Sequence, residues 1–244
     1  MNFFSSKISF FKIFFLDLFW PSFCLGCQKE GEIICVDCLS LIEIFEYQFC
    51  PFCKTPHRTL DKGTCLIHRS QNLNGLFTAV SYQNPLIKQL IKNFKYPPFL
   101  KKLGQSLTNF IIIHFLLSGK KKFFQPLEDS FFIPIPLFYS RQQWRGFNQA
   151  EEIAKILSFY FKVPYQINNL IKIKKIQPQT ELREEKRRKN VKNVFKICQP
   201  QKIEGKRIFL VDDVFTTGST LEEAAKILKQ SGAKEVWGIT IAKE

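Results

Sequence analysis

No hydrophobic run in this 244-residue chain is long enough to cross a bilayer. The most apolar stretch, Ile8 to Trp20, is interrupted by Lys12 and Asp17 and stopped by Pro21. A spanning helix needs roughly 20 apolar residues. No small-residue cleavage site precedes Cys24, so no signal peptide is expected and the protein is expected to be cytoplasmic, without a transmembrane segment. The stretch reads instead as an amphipathic lead-in helix. The chain also lacks a Gly-Lys-Ser or Gly-Lys-Thr turn, which excludes a P-loop. No aspartate follows Asp213, which excludes the acidic pair of a response regulator, whose phosphoacceptor lies well downstream. Acidic residues are scarce: 21 against 36 Lys and Arg, a net charge of +15. That balance favours polyanionic ligands, whether nucleic acid, nucleotides or phosphorylated sugars. Heavy use of Lys, Ile, Asn and Phe throughout is also what an A/T-rich genome produces, so the charge alone does not argue for DNA binding. Cysteine nearly vanishes beyond Cys65, where only Cys198 occurs.

What is present is most informative from Ile208 to Thr220. Ile208, Phe209, Leu210 and Val211 read as a buried strand, with Asp212 and Asp213 at its end. The hydroxyl-rich turn Thr216, Thr217, Gly218, Ser219, Thr220 follows, and a helix begins at Leu221. Such a strand–turn–helix aims backbone N–H groups and a helix dipole at one point, where a phosphate fits. Carboxylates beside that cradle would repel a bare phosphate. They suit ribose hydroxyls or a hydrated divalent cation, so the pattern implies a phosphorylated sugar with a metal. The pair is expected to be exposed at the strand end.

From residue 71 onward, strand and helix patterns alternate without an internal repeat. Leu76 to Tyr82 alternates like a strand; Pro85 to Phe94 and Leu103 to Leu117 are helical. Phe131 to Pro136 reads as a short buried strand, Gln149 to Phe161 as a helix, and Ile167 to Ile173 as a strand. Arg207 to Val211, the helix from Leu221 to about Gln230, and Glu235 to Ala242 complete the series. This alternation predicts an α/β fold, a parallel sheet flanked by helices. The segment from Gln179 to Asn193 is too basic for core. It has no aromatic residue between its charges, so nucleic-acid binding through it is expected to be weak and salt-sensitive.

The cysteine-rich segment supplies four x-x-spaced pairs: Cys24 with Cys27, Cys35 with Cys38, Cys50 with Cys53, and Cys65 with His68. Each pair can present two ligands to one tetrahedral ion, so eight ligands serve two closed structural zinc sites. Short intervals favour sequential sites, though spacing also permits cross-bracing. His57 and His114 have no paired ligand and read as a loop and a helix residue. The expected organisation is a lead-in helix with a double zinc-ribbon module over 1–70, and an α/β domain over 71–244.

The string from Ile208 to Thr220 resembles the phosphoribosyl pyrophosphate (PRPP) motif of type I phosphoribosyltransferases. A second block, Pro134 and Pro136 followed by Arg145, Gly146, Phe147, Asn148 and Gln149, resembles the ComF family. So do the eight metal ligands, Lys95 with Tyr96, Gln179 with Leu182, and Arg187 with Asn190 and Val191. Ile176, Lys172 or Lys174, and His68 depart from the family pattern. The resemblance implies a double zinc ribbon joined to a phosphoribosyltransferase domain and a link to DNA uptake in natural transformation. It implies Mg²⁺ with PRPP as ligand. Asp212 and Asp213 would act at the ribose hydroxyls, Thr216 to Thr220 at the 5′-phosphate, and Leu137 and Arg141, with Arg145 following, at the pyrophosphate. Single-stranded DNA and a DNA-uptake helicase are the further partners implied. The competing expectation is a non-catalytic nucleic-acid- or helicase-binding protein on the same fold. The acceptor and the oligomeric state are not legible.

Overall fold

The computed structural model of the chain describes residues 22–59, 63–125, 127–174 and 193–244. The lead-in helix, Ile176 and the basic residues from Arg183 to Lys192 lie outside the described residues. Contacts divide the chain into a unit ending at Glu43 and a unit from Ile44 to Glu244. The expected boundary lies at residue 70; the division by contacts instead groups the second set of metal ligands with the α/β sheet.

In the first unit, a turn closed by a bridge between Phe23 and Glu30 leads to the short helix α1 (Val36–Ser40). The second unit begins with a minimal antiparallel pair, β1 (Gln48–Phe49) and β2 (Arg58–Thr59). It continues through β3 (Gly75–Ser81), α2 (Pro85–Lys95), α3 (Leu103–Leu117), β4 (Ser130–Pro134), α4 (Tyr139–Arg145) and α5 (Gln149–Phe161). A small antiparallel pair, β5 (Leu170–Lys172) and β6 (Phe195–Ile197), precedes β7 (Arg207–Phe215), α6 (Ser219–Gln230) and β8 (Glu235–Lys243).

Strands β3, β8, β7 and β4 form one parallel sheet in that order. Both faces are covered, which is why the strands read as apolar runs. Phe77, Phe209 and Trp237 face a cluster with Phe115, Phe124, Phe132 and Phe161, with ring centroids as close as 4.4 Å. On the other face Ile208, Leu210 and Val236 meet Leu221, Ala224, Ala225 and Leu228 of α6. The alternation expected for β3 is absent: six of its seven residues are buried, with α3 against one face and Leu76 packed into the cluster that holds Leu221 of α6 on the other. Its outer edge is covered by the segment before β1, where the Phe45 N–H donates to the Ala79 carbonyl at 2.8 Å.

Local sequence explains the helix starts near the site. Asn84 caps α2 by accepting from Leu86 and Ile87, with Pro85 in the first turn. Asn148 caps α5 by accepting from Ala150. Strand β7 runs four residues beyond its expected end. Strand β4 stops at Pro134 opposite Val211, whereas β8 continues to Lys243 opposite Phe215. Among the described residues, β7 is therefore paired on one side only from Asp212 to Phe215. Its other side lies at the carboxyl edge of the sheet, where α/β folds bind ligands in a crevice.

Candidate functional site

The two metal-type clusters form as sequential sites. The sulfur and nitrogen atoms of Cys24, Cys27, Cys35 and Cys38 lie within 4.8 Å of one another, as do those of Cys50, Cys53, Cys65 and His68. In the first, Cys35 Sγ stands 3.7 Å from Cys24 Sγ and 3.6 Å from Cys27 Sγ. A zinc–sulfur bond of about 2.3 Å gives a tetrahedron edge of about 3.8 Å, whereas a disulfide needs about 2.05 Å. Backbone N–H groups of Gly26 and Cys35 donate to Cys24 Sγ, as suits a thiolate. In the second cluster His68 turns Nδ1 to Cys50, Cys53 and Cys65 at 3.5, 3.5 and 3.2 Å. Both donor sets fit zinc, and a closed set of four leaves no open position for chemistry.

At the crevice, strand alternation sends the two carboxylates to opposite faces of the sheet. Asp213 shares its face with Phe209 and Val211 and is buried, with Lys95 Nζ 2.8 Å from Oδ1. Asp212 lies on the α6 side, half-buried, its Oδ1 accepting from the Asp213 N–H at 2.9 Å. The expectation of an exposed pair is therefore corrected: the ladder with β8 continues past both residues and the end of α2 closes over Asp213. Burial, then the charge of Asp213, push the Asp212 carboxyl up to about 7, while Lys95 and Lys172 oppose the rise. Lys172 of β5 is pulled down to about 8 by burial and by Arg141, with Asp212 opposing.

The turn after β7 is built around Gly218, at φ 75°. A Cβ there would stand 2.5 Å from the Phe215 ring, so the turn needs glycine for both conformation and space. Thr217 Oγ1 and Ser219 Oγ are 2.8 Å apart, and Ser219 opens α6, whose N-terminal N–H groups face the crevice end of the turn. Thr216, Ser219 and Thr220 are half-buried beside them.

The block from Arg145 to Gln149 ties this edge together. Asn148 Nδ2 donates to the Ile135 carbonyl, Gln149 Nε2 to the Phe94 carbonyl, and Arg145 donates to Gln149 Oε1 at 2.8 Å. Arg145 is 9% exposed, and its guanidinium lies 5.4 Å from the centre of the Tyr96 ring. Burial pulls its pKa down, and the charge of Asp213 opposes that fall. Among the described residues its buried Nε has no hydrogen-bond partner, an N–H donor short of an acceptor. Arg141 is half-buried on α4, and Leu137 lies half-buried in the loop between β4 and α4.

Residues 143–243 match the family model described as phosphoribosyl transferase domain. Along most of its length the chain is similar to Competence protein F of Haemophilus influenzae, 31% identical over 225 residues, 90% of this chain and 90% of that protein. DNA utilization protein YhgH of Escherichia coli O157:H7 is 31% identical over 225 residues, 89% of this chain and 96% of that protein. Competence protein ComFC of Streptococcus pneumoniae is 26% identical over 209 residues, 86% and 87% of the two chains. The chain belongs to the ComF family. Its architecture is a phosphoribosyltransferase-type parallel sheet flanked by helices, with N-terminal cysteine clusters compatible with a zinc ribbon.

In this ComF-family chain, the crevice brings Asp212, Asp213, Arg145 and Lys95 together, with Lys172 close enough for its charge to act on Asp212, and Arg141 close enough to act on Lys172 and Arg145. His57 lies in the loop before β2 and His114 is buried in α3, and neither belongs to the two ligand sets, as read from sequence. The pairing of Lys95 with Asp213 was not legible, since only the end of α2 and the path of β7 join them. Glu222 was also missed. Its carboxylate accepts from the N–H groups of Asn72 and Leu73 at 2.7 and 3.0 Å, tying α6 to the segment after the second cluster.

Proposed function

We propose that this chain binds Mg²⁺–PRPP in the crevice along the unpaired side of β7, and that it serves the handling of incoming DNA. The observation that carries the reading is the juxtaposition, at one sheet edge, of an acidic pair, a glycine turn opening α6, and four cations. A bare anion site would not place carboxylates there, and a simple cation site would not need Lys95, Arg141, Arg145 and Lys172. A ligand with hydroxyls at one end and phosphates at both sides calls for both kinds of charge at one edge.

In this reading the acidic pair works, through at least one of its carboxylates, at the ribose hydroxyls and the metal. Thr216, Thr217, Gly218, Ser219 and Thr220 donate to the 5′-phosphate. Arg141 and Arg145, with the backbone at Leu137, hold the pyrophosphate, and the unpartnered Nε of Arg145 supports that role. Mg²⁺ supplies charge neutralisation for the leaving pyrophosphate. Transfer would proceed by attack of a nucleophile on C1 of the ribose as the C1–O bond to pyrophosphate breaks, with the carboxylates stabilising the cationic sugar. The link to DNA rests on the relatives, whose names speak of competence and DNA utilization.

Calorimetric titration of the zinc-loaded chain with Mg²⁺–PRPP tests the reading. The wild type binds, and Asp212→Asn combined with Asp213→Asn abolishes binding while the protein stays folded. Undiminished affinity in the double variant overturns it. Pyrophosphate release with a panel of bases then separates a transferase from a binding protein.

One observation favours the second reading, a nucleic-acid-binding module on the same edge. Tyr96 and Trp144 are exposed beside Arg145, with ring centroids 6.4 Å apart. Exposed aromatics next to arginine suit base stacking. Single-stranded DNA that PRPP displaces, with binding weakened by Trp144→Ala, would favour that module.

A further inference from the structure

The two carboxylates of the acidic pair are not equivalent. Asp213 is buried and faces the end of α2; Asp212 is half-buried and lies on the α6 side of the sheet. Lys95, the last residue of α2, reaches Asp213 Oδ1 at 2.8 Å. The same end of α2 is anchored twice more. The Phe94 carbonyl accepts from Gln149, and Tyr96 carries Arg145 over its ring. The groups that face this ammonium are Asp213, Asp212 and Tyr82, with Arg145 nearby on α4. Burial works against the Lys95 charge, and the Asp213 carboxylate more than offsets it, holding Lys95 above the ordinary lysine range.

We propose that Lys95 is a positioning residue of the phosphoribosyl site. Its ammonium takes up Asp213 as a fixed ion pair and leaves Asp212 as the one carboxylate of the pair that engages a divalent cation and the sugar. The inference rests on the PRPP reading and deepens it. A lysine in this place makes up part of the positive charge that two adjacent carboxylates require, so the site needs one metal ion fewer on the protein side. Removing one partner of a buried pair leaves the other charge uncompensated, and a small cation is then drawn to it.

The experiment uses the full zinc-loaded chain, with Lys95→Met, Lys95→Arg and the double variant Lys95→Met with Asp213→Asn. PRPP affinity is measured by calorimetry across a Mg²⁺ series, and Mn²⁺ binding without PRPP by electron paramagnetic resonance. Lys95→Met is expected to lose roughly tenfold in PRPP affinity at low Mg²⁺, to recover at high Mg²⁺, and so to show a steeper Mg²⁺ dependence. It is also expected to bind Mn²⁺ more tightly than the wild type in the absence of PRPP. Lys95→Arg should return to the wild-type Mg²⁺ dependence, because it keeps the cation, and the double variant should lose the gain in Mn²⁺ binding, because it removes the charge that draws the ion. A merely structural role would lower affinity without rescue by Mg²⁺ and without a gain in Mn²⁺ binding; either of those absences overturns the proposal. If the wild type fails to bind Mg²⁺–PRPP at all, the PRPP reading falls. The Mn²⁺ titration then decides on Lys95 alone: a tighter site in Lys95→Met upholds the ion-pair role, and no gain refutes it.

Discussion

Cys24, Cys27, Cys35 and Cys38 close on one another inside a small unit of their own, whereas Cys50, Cys53, Cys65 and His68 belong to the unit that carries the sheet. The chemistry of the two donor sets is nearly the same, but their surroundings differ. Around the first, the hydrogen bonds are sequence-local: the Cys24 N–H donates to the Lys29 carbonyl and that of Leu25 to the Ile33 carbonyl. Around the second, Phe52 stands with its ring centre 5.8 Å from that of His68 and 6.4 Å from that of Phe215, the residue that ends β7. Phe215 in turn fills the space where a Cβ on Gly218 would sit. The segment just beyond His68 reaches Glu222 of α6 through Asn72 and Leu73, and Asn74 Oδ1 accepts from Val236 of β8. The contrast teaches that one knuckle is held within its own small unit, while the other buttresses the turn that opens α6.

The largest expected effect comes from removing ligands of the second cluster. Cys53→Ser with Cys65→Ser should leave one zinc per chain by native mass spectrometry and lower the main melting transition by roughly 10 °C. PRPP binding should be lost with it. A main transition that melts as in the wild type would break the comparison. Next in size is Gly218→Ala. A left-handed backbone and the Phe215 ring both oppose a side chain there, so PRPP affinity should fall roughly tenfold with both zinc ions retained. Calorimetry and metal analysis on the same sample check this; unchanged affinity would remove the turn from the site.

Phe52→Ala sharpens the comparison further, since it leaves every metal ligand in place. Removing a half-buried ring that bridges His68 and Phe215 should cost about 1–2 kcal/mol of stability by denaturant unfolding, and weaken PRPP binding by a few-fold. Stability loss with wild-type affinity would mean that the buttress holds the fold but does not reach the turn. The smallest effect at the crevice is expected for the first cluster. Cys24→Ser with Cys35→Ser should release one zinc and change PRPP affinity by no more than about twofold, because its ligands belong to a separate unit. A large loss of affinity in this variant would make the two knuckles equivalent after all.

Much of this molecule is legible in its amino-acid order. The spacing of Cys24, Cys27, Cys35 and Cys38, and of Cys50, Cys53, Cys65 and His68, declares two tetrahedral sites, because ligand geometry is a local property of tight turns. The helices Leu103–Leu117 and Gln149–Phe161 follow from apolar spacing and begin and end where that spacing does. The turn from Thr216 to Thr220 is announced by its glycine and hydroxyls, since backbone conformation there depends on the residue itself. The end of β7 is not legible in the same way. Asp212 and Asp213 look like a strand terminus in the sequence, and only the longer partner β8 carries the ladder through them to Phe215.

Sequence by itself determined the order of the elements and the two four-ligand sets, both of which arise from neighbours along the chain. Tertiary structure alone decided that the two sets close sequentially rather than crossed, that the second stands with the sheet, and that Asp213 is held by Lys95 while Asp212 lies on the opposite face. These outcomes depend on which surfaces are buried against each other. Burial and charge pairing between distant residues leave no periodic or local trace for a single sequence to show.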